Sequence, residues 1–475
     1  MEGRWSDGRI VPMKQQKCCG GKSRKAVSSQ LTIQSHIKRE TLSIHRDRRM
    51  METKLARISQ LSKENPKMVF TSLGHLINRE FLKECHEMLD GDKAVGIDGV
   101  TKEMYGAELD KNLDALVERL KRKAYKPKPA RKVEIPKDNG KFRQLSIYCY
   151  EDKLIQEALK RILEAVFEPH FYEEMMGFRP NRGCHDALRM LNGHLMYKTS
   201  YVVDADIKGF FDHLDHDLII KFVESRIKDP NITRLIRRML KAGIMDNYHY
   251  DPTEEGSGQG SVCSPILSCI YMHYVLVWWF KEVVQPSLKG FSGLVVYADD
   301  FVACFQYKSE AEEFYKRLRH RMEYFKLSLE EEKSRLIKFG RYASDGKQKP
   351  ETFDFLGFTH YCSTGRNGKF KVKRKTSRKK FRKKLKEIHR KISSMRTLQT
   401  KEIIKKLNEI LTGYFHYYGV QDNYYMNKEF RYQVLESLYY WLNRRSQKKS
   451  YTRKGFYDMI DRGHPVVKPR TYVII

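Results

Sequence analysis

The chain has 475 residues, a length that suggests about three ordinary domains. It carries 91 Lys and Arg residues against 59 Asp and Glu residues, a formal net charge of +32. This surplus indicates a polyanionic partner, and the 28 Tyr and 24 Phe residues among the basic ones favour nucleic acid over a membrane surface. No stretch has the roughly 18 uninterrupted apolar residues of a spanning helix, and no apolar signal core is present, so we expect a cytoplasmic protein without a membrane partner.

Cysteine spacing excludes two further classes. The nine cysteines include no C-x-x-C pair, which argues against a zinc ribbon and against a disulfide framework. We therefore expect a fold that is stabilised by burial of an apolar core, which a chain of this length can build.

The N-terminal part of the chain contains a basic segment and a predicted hairpin. Residues 1–65 are polar and basic and predict an arm, helical from about Thr41, that is suited to lie on RNA. Residues 133–143 predict a hairpin with Asp138-Asn139-Gly140 as its turn. Its arms would bring Lys137 close to Arg143, two cations suited to a triphosphate. The alternative is a pair of solvated cations on an exposed hairpin.

Two acidic segments follow apolar runs. The run from Tyr201 to Asp206 is apolar and β-branched, which predicts a buried strand with an acid at its C-terminal end. Tyr297-Ala298-Asp299-Asp300 lies between two apolar runs, which predicts a β-hairpin with its acids at the tip. Asp-Asp alone could be an ordinary turn. Together with Asp206, however, it matches an arrangement that holds two divalent ions roughly 3.5–4 Å apart for phosphoryl transfer.

The remaining segments are assigned by periodicity. Small residues between Gly256 and Pro265 form a loop before an apolar helix, and such a loop lets backbone approach a nucleotide closely. Phe353–Phe358 predicts a strand pair with a Gly turn. Residues 366–390 are dense in Lys and Arg, yet apolar residues such as Phe381 and Ile388 keep helical spacing, so we interpret this segment as a packed helix with a basic outer face.

Seven ordered motifs resemble those of the reverse transcriptase of bacterial group II intron-encoded proteins. They are Gly-Ile-Asp-Gly-Val (96–100), Ile-Pro-Lys…Gly-Lys-x-Arg (135–143), Gly-Phe-Arg-Pro (177–180), Asp-Ala-Asp-Ile-Lys-Gly-Phe-Phe-Asp (204–212), Gln-Gly…Ser-Pro (259–265), Tyr-Ala-Asp-Asp (297–300) and Phe-Leu-Gly-Phe (355–358). Tyr-Tyr-Gly (417–419) and residues 441–447 look like the maturase region of that family. The likeness covers roughly residues 65–460, and seven motifs in order are far more specific than any one of them.

The resemblance implies roles for individual residues. It implies three catalytic, metal-binding acids: Asp206, Asp299 and Asp300. It implies four nucleotide contacts: Lys137, Arg143, Phe211 and Gln259. The backbone carbonyl of Ile207 would complete a shell for two Mg²⁺ ions, Phe211 would clash with a ribose 2′-hydroxyl and so select dNTPs, and Lys333 is a possible general acid for pyrophosphate. Asp204 and Asp212 are expected to have a structural role or to contact the metal ligands and not the metal itself.

Two departures from the family pattern lie near the expected nucleotide site. The usual Gly-Ile-Pro after the fingers hairpin is Ser146-Ile147-Tyr148 here, and the common Pro-Gln-Gly is Gly258-Gln259-Gly260. Neither removes a charge or a metal ligand, so we expect an effect on template or nucleotide fit alone. The last cysteine is Cys362, so we do not expect the Cys-paired C-terminal His-Asn-His endonuclease of many relatives.

The predicted fold is a right-hand polymerase of the α/β (α+β) class, in which the fingers and palm of a reverse transcriptase precede a helical thumb and maturase domain. The expected domains are a basic arm (1–65), fingers (66–200), a palm with the catalytic acids (201–360), a helical thumb and maturase region (361–430) and a basic tail that binds DNA or RNA (431–475).

The expected activity is RNA-templated DNA synthesis from dNTPs, with an RNA template, a DNA primer or target, and group II intron RNA as partners. Splicing and retromobility would place the protein in a cytoplasmic ribonucleoprotein, associated with the nucleoid. RNA would contact the basic arm, the 366–390 helix and aromatics such as Tyr414 and Tyr417, although aromatics at helical spacing also predict thumb core. Two other hypotheses stay open: a free-standing reverse transcriptase in host defence or repair, and a non-catalytic RNA-binding splicing factor.

Overall fold

The computed structural model describes residues 51–136, 142–246, 249–343, 350–365 and 367–475. Lys137, the predicted turn Asp138-Asn139-Gly140 and the arm up to residue 50 lie outside these ranges. The distribution of contacts divides the chain into two compact units, Met1–Lys54 and Leu55–Ile475. Every element described below belongs to the second unit. Within the described ranges, no helix has the length and apolar character needed to cross a membrane.

Helices and strands alternate over most of the chain. The α-helices are Arg79–Met88, Lys102–Ala107, Leu109–Lys121, Tyr150–Phe167, Cys184–Met196, His216–Glu224, Pro230–Leu240, Ser264–Met272, Lys308–Tyr324, Arg378–Ser394, Thr400–Tyr418, Tyr424–Leu442 and Arg453–Asp458. The strands are β1 (Ala130–Pro136), β2 (Phe142–Ile147), β3 (Tyr201–Asp206), β4 (Ile244–Asp246), β5 (His249–Asp251), β6 (Ser292–Tyr297), β7 (Asp300–Phe305), β8 (Arg335–Lys338), β9 (Phe353–Phe355), β10 (Phe358–Thr364) and β11 (Phe370–Thr376). Two π-helical stretches, His273–Val277 and Phe280–Val284, follow the helix Ser264–Met272.

A four-stranded antiparallel sheet in the order β6-β7-β3-β8, here the palm sheet, carries the predicted acids. Its strands are apolar because both faces are covered by helices. The helix Cys184–Met196 packs Leu188 and Leu191 against one face, in a core shared with Val295. On the other face Phe314, from the helix Lys308–Tyr324, lies 5.0 Å from the ring of Phe305.

The second sheet, here the fingers sheet, has the order β2-β1-β4-β5. The strands β1 and β2 form the predicted hairpin, with Pro136 opposite Phe142, and β1 pairs in parallel with β4. Since β4 and β5 lie within the segment assigned to the palm, the sheet crosses the proposed boundary at residue 200. The helix Tyr150–Phe167 follows β2, and most of its residues are buried.

The interpretation of residues 366–390 as one helix is wrong. The helix begins at Arg378, and Phe370–Thr376 form β11, which pairs along its length with β10. Alternate residues of this strand, Val372, Arg374 and Thr376, are buried. The period of two was obscured because lysines occupy the positions between them.

The C-terminal helices share one core. Tyr414 is only 6% exposed and stacks on Phe430 with ring centroids 3.8 Å apart, so the expectation that it is available to RNA is wrong. The Tyr417 hydroxyl donates to the Leu356 carbonyl at 3.0 Å and ties its helix to the turn between β9 and β10. The helix Tyr424–Leu442 crosses the proposed boundary at residue 430, and residues beyond it pack in the same core.

Candidate active site

The predicted acids lie together at one end of the palm sheet. Asp206 is the last residue of β3 and lies directly opposite Asp300, the first residue of β7. Asp299 follows Ala298 in the two-residue turn between β6 and β7. The strand and the hairpin expected from the sequence are therefore confirmed. Ala298 has a φ of +59°, a left-handed conformation that costs roughly 1–2 kcal/mol for a residue with a Cβ, and such strain is most often retained at functional sites.

The Gly-Phe-Arg-Pro motif packs against this turn through Gly177. A Cβ at Gly177 would lie 2.4 Å from the backbone nitrogen of Ala298, a distance that no side chain allows. Just before it, the Met176 N–H donates to the Val296 carbonyl, and the Val296 N–H donates to the Glu174 carbonyl, both at 2.8 Å. Glycine is thus required at 177, and this segment fixes the position of the turn that carries Asp299.

The carboxylates oppose one another's ionisation. Burial, together with the charges of Asp204, Asp206 and Asp299, raises the pKa of Asp300 to about 7. Burial and the charge of Asp206 also raise the pKa of Asp299, against the opposing charges of Arg143 and Lys333. Burial also raises the pKa of Asp204, which lies two residues before Asp206 on β3, to about 7. The fold therefore concentrates negative charge that a cation would stabilise.

Lys333 lies next to the acids. Its Nζ is 2.5 Å from Asp206 Oδ2, and this hydrogen bond raises the pKa of the Lys333 ammonium. The lysine follows Glu330, whose N–H donates to the Asp206 carbonyl at 2.8 Å. Lys333 is therefore positioned as a counterion of the acids, and it would have to leave Asp206 in order to reach a pyrophosphate.

The oxygen atoms at this end of the sheet suit a hard divalent cation. Ile207 lies in a bridge whose hydrogen bonds use the Lys208 N–H and the Asp206 carbonyl, so the Ile207 carbonyl takes no part in the bridge. Among the residues that the structure describes, no group of three or more His, Cys, Asp or Glu side chains is arranged to hold a metal ion. Mg²⁺ is usually bound by one or two carboxylates with substrate phosphates and water. Asp206, Asp299 and the Ile207 carbonyl fit that requirement.

A cleft of about 360 Å³ lies between β2 of the fingers sheet, the segment after β3 and the loop 255–259, and Asp206, Asp299 and Asp300 are not among its lining residues. It is lined by three of the four predicted nucleotide contacts, Arg143, Phe211 and Gln259. Gln259 Nε2 donates to Asp212 Oδ1 at 3.3 Å, which holds the amide near Phe211, the residue before Asp212. The fourth, Lys137, lies outside the described ranges, so the structure does not place it.

Two aromatic residues near the cleft escaped the sequence analysis as site residues. Phe178, within the Gly-Phe-Arg-Pro motif, is 46% exposed and meets Phe211 edge to face with ring centroids 6.1 Å apart. Tyr148 lines the cleft together with Gln259. The position of Phe178 inside a motif was the available signal for the first, whereas Tyr148 was noted only as a departure from the family pattern.

The fold and the site together define a right-hand nucleic-acid polymerase, and comparison with known families makes this specific. Residues 135–360 match the family "Reverse transcriptase (RNA-dependent DNA polymerase)". Residues 378–458 match the family "Group II intron, maturase-specific domain". The chain therefore carries a reverse transcriptase domain followed by a group II intron maturase domain. Reverse transcriptases of this family generally depend on divalent metal ions.

Individual relatives match over part of their length. Group II intron-encoded protein LtrA of Lactococcus lactis is 36% identical over 237 residues, which is 50% of this chain and 39% of that protein. Protein YkfC of Escherichia coli is 35% identical over 217 residues, 44% of this chain and 57% of that protein. An uncharacterised 91 kDa protein in the cob intron of Schizosaccharomyces pombe is 35% identical over 224 residues, 46% of this chain and 28% of that protein. The chain spans less than two thirds of each.

Proposed function

We propose that the protein is an RNA-directed DNA polymerase and that it also binds group II intron RNA as a maturase. The observation that carries the polymerase proposal is the position of Asp206 and Asp299 at one end of the palm sheet, where the charge of Arg143 acts on Asp299, and Arg143 also lines a cleft with Phe211 and Gln259. A non-catalytic splicing factor has no need to keep carboxylates in a setting that raises the pKa of Asp299. The match to a maturase-specific domain supports the second role.

The acids would hold two Mg²⁺ ions. Asp206, Asp299 and the Ile207 carbonyl supply the oxygen ligands, and Asp300 supports Asp206 from the neighbouring strand. Mg²⁺ bound there supplies a lowered pKa for the primer 3′-hydroxyl and neutralises charge on the triphosphate. The Lys333 ammonium is the nearby group that could donate a proton to the departing pyrophosphate, after exchange of its hydrogen bond to Asp206.

The residues of the cleft select the nucleotide. The Arg143 guanidinium would pair with the triphosphate, and the sequence places Lys137 on the same hairpin. Phe211 would exclude a ribose 2′-hydroxyl by direct contact, and Phe178 limits its movement from one edge. Replacement Phe211→Val should therefore raise incorporation of rNTPs relative to dNTPs by about 10- to 100-fold, and incorporation competition between the two on one template checks it.

The polymerase test uses purified protein with an oligo(dT)-primed poly(rA) template. We expect Mg²⁺-dependent dTTP incorporation that is lost in Asp206→Asn. Asp217→Asn is a matched control because Asp217 is an exposed partner of Arg237 in an ion pair on the surface. No incorporation by the wild-type protein would overturn the proposal in favour of a non-catalytic RNA-binding factor.

The surface of the C-terminal helices supports RNA binding. The helix Arg378–Ser394 buries Phe381, Ile388 and Ile392 and exposes a row of Lys and Arg residues. On the helix Tyr424–Leu442, Tyr425 is 82% and Tyr432 is 52% exposed. Exposed cations contact phosphates and exposed aromatics stack on unpaired bases, so these tyrosines replace Tyr414 as the proposed stacking residues.

The RNA partner is tested by the salt dependence of binding. Lys380→Gln/Lys386→Gln removes two exposed cations from the helix Arg378–Ser394, and Lys289→Gln/Lys316→Gln removes two exposed lysines elsewhere. We expect the first pair to lower the slope of log affinity against log salt by about two and the second pair to leave it unchanged. An equal effect of both pairs would contradict this surface. Binding of an intron RNA well above an unrelated RNA of equal length supports the maturase role over a free-standing reverse transcriptase.

A further inference from the structure

The two segments that depart from the family pattern contact each other across the floor of the cleft. Ser146 and Tyr148 lie on the fingers side, at and just beyond the end of β2, and Gly258 begins the loop that carries Gln259. The Ser146 N–H donates to the Gln259 carbonyl at 2.7 Å. A Cβ at Gly260 would lie 2.5 Å from the Ser146 carbonyl oxygen, so the loop is held against β2 by backbone contacts at Gln259 and Gly260.

Gly258 is required because of the space around it and not because of its backbone conformation. Its φ lies outside the left-handed region that Gly256 and Gly260 occupy. A Cβ there would lie 2.3 Å from the Tyr148 hydroxyl oxygen, 2.9 Å from Ser146 Oγ and 3.0 Å from Ser146 Cβ. Tyr148 is 7% and Ser146 is 3% exposed, so neither can move aside freely.

These contacts connect the residues proposed to bind the nucleotide. The strand β2 carries Arg143 a few positions before Ser146. On its other side the Gln259 loop is attached to the segment after β3, because the Ser257 N–H donates to the Phe211 carbonyl at 2.7 Å. The spacing between Arg143, Gln259 and Phe211 is therefore set by how closely Gly258 approaches Tyr148.

We propose that Tyr148 is a positioning residue for the incoming nucleotide and that it acts through its contact with Gly258, together with Ser146. The inference rests on the proposed polymerase function. Any atom added at 258 would push Gln259 away from β2 and widen the cleft. Tyr148 sets the present distance between the loop and β2, because its hydroxyl lies against Gly258. The effect should fall on nucleotide binding, because the acids and the turn at Asp299 do not depend on these contacts.

The test is steady-state incorporation of dTTP on oligo(dT)-primed poly(rA) by Gly258→Ala in two backgrounds. In the wild-type background we expect KM for dTTP to rise at least about tenfold, with a smaller change in kcat and an unchanged affinity for template and primer. In the Ser146→Gly/Tyr148→Phe background all three close atoms are absent, and the same change should raise KM by less than about threefold. Gly193→Ala is the matched control, since nothing lies within 4 Å of its added Cβ.

Thermal unfolding of the same proteins separates positioning from folding. A merely structural clash would lower Tm and kcat together and leave KM unchanged, which would overturn the inference. Equal KM effects of Gly258→Ala in both backgrounds would also overturn it. Each of these results requires active wild-type protein, so it is distinct from failure of the proposed function. An inactive wild-type protein overturns both.

Discussion

Buried charge is arranged in opposite ways at the acidic end of the palm sheet and at the junction between the third sheet, β11-β10-β9, and the C-terminal helices. At the junction the fully buried Arg374 donates from Nη2 to Asp422 Oδ2 at 2.6 Å. In the palm, Asp204, Asp299 and Asp300 face like charges, and burial raises the pKa of each.

The difference distinguishes charges that are paired within the fold from charges that need a ligand. The Arg374 and Asp422 pair neutralises itself within the fold, so it can stabilise the position of the C-terminal helices without any ligand. Opposite Arg374 in the register lies His360, and burial, with the nearby guanidinium, lowers its pKa to about 3, so this imidazole stays neutral. Lys333 pairs with Asp206, but Asp204, Asp299 and Asp300 keep raised pKa values, as expected of acids that the proposed metal ions would stabilise, at a cost to the stability of the metal-free fold.

The largest effect on activity should follow loss of a palm acid. Asp299→Asn should lower dNTP incorporation at least about 10³-fold, because one of the proposed charged metal ligands is removed. Its Tm should stay equal to or above that of the wild type, because repulsion between carboxylates is relieved. Incorporation assays and thermal unfolding check both parts. A lower Tm would mean that this acid stabilises the fold, and the contrast with the junction would disappear.

The junction should show the reverse behaviour. Asp422→Asn leaves the Arg374 guanidinium buried without its anion, and we expect the free energy of unfolding to fall by about 3–5 kcal/mol. Urea unfolding measures the loss. Asp217→Asn, which breaks the exposed pair with Arg237, should cost less than about 1 kcal/mol. If the two variants were equally stable, Arg374 and Asp422 would not be a structural pair.

A smaller effect concerns the pH dependence of stability. The pKa of Asp300 rises from 3.8 to about 7 on folding, so the free energy of unfolding that this group contributes falls as pH rises across that window. Asp300→Asn removes the titration. Without divalent ions, the variant should exceed the wild type in Tm by a few degrees at pH 8, and the gap should close as pH approaches 4. Thermal unfolding in EDTA tests this, and a gap that is constant with pH would contradict it.

The sequence was sufficient for the parts of the fold where composition follows burial. Apolar runs ending in Asp206 and flanking Asp299 predicted the strand and hairpin because both strands are covered by helices. The sequence was insufficient where contacts between residues far apart in the chain determine which side chains are buried. The burial of Arg374 depends on Asp422, 48 positions away. In addition, the lysines that alternate with the buried residues of β11 resemble the exposed face of a helix. Tyr148 was noted as a departure from the family pattern, but its contact with Gly258 had no signal, because only the packed loop reveals the space beside that glycine.

The contact between Lys333 and Asp206 has a consequence for biosynthesis. The two residues are 127 positions apart, and β8, which begins shortly after Lys333, completes the palm sheet beside β3. At about 5–20 residues per second, a ribosome needs of the order of 10 seconds to make the second half of this site after the first. During that interval the nascent chain already carries the basic residues 1–65 but has an incomplete acidic site, so under the proposed function RNA would be bound well before DNA synthesis can begin.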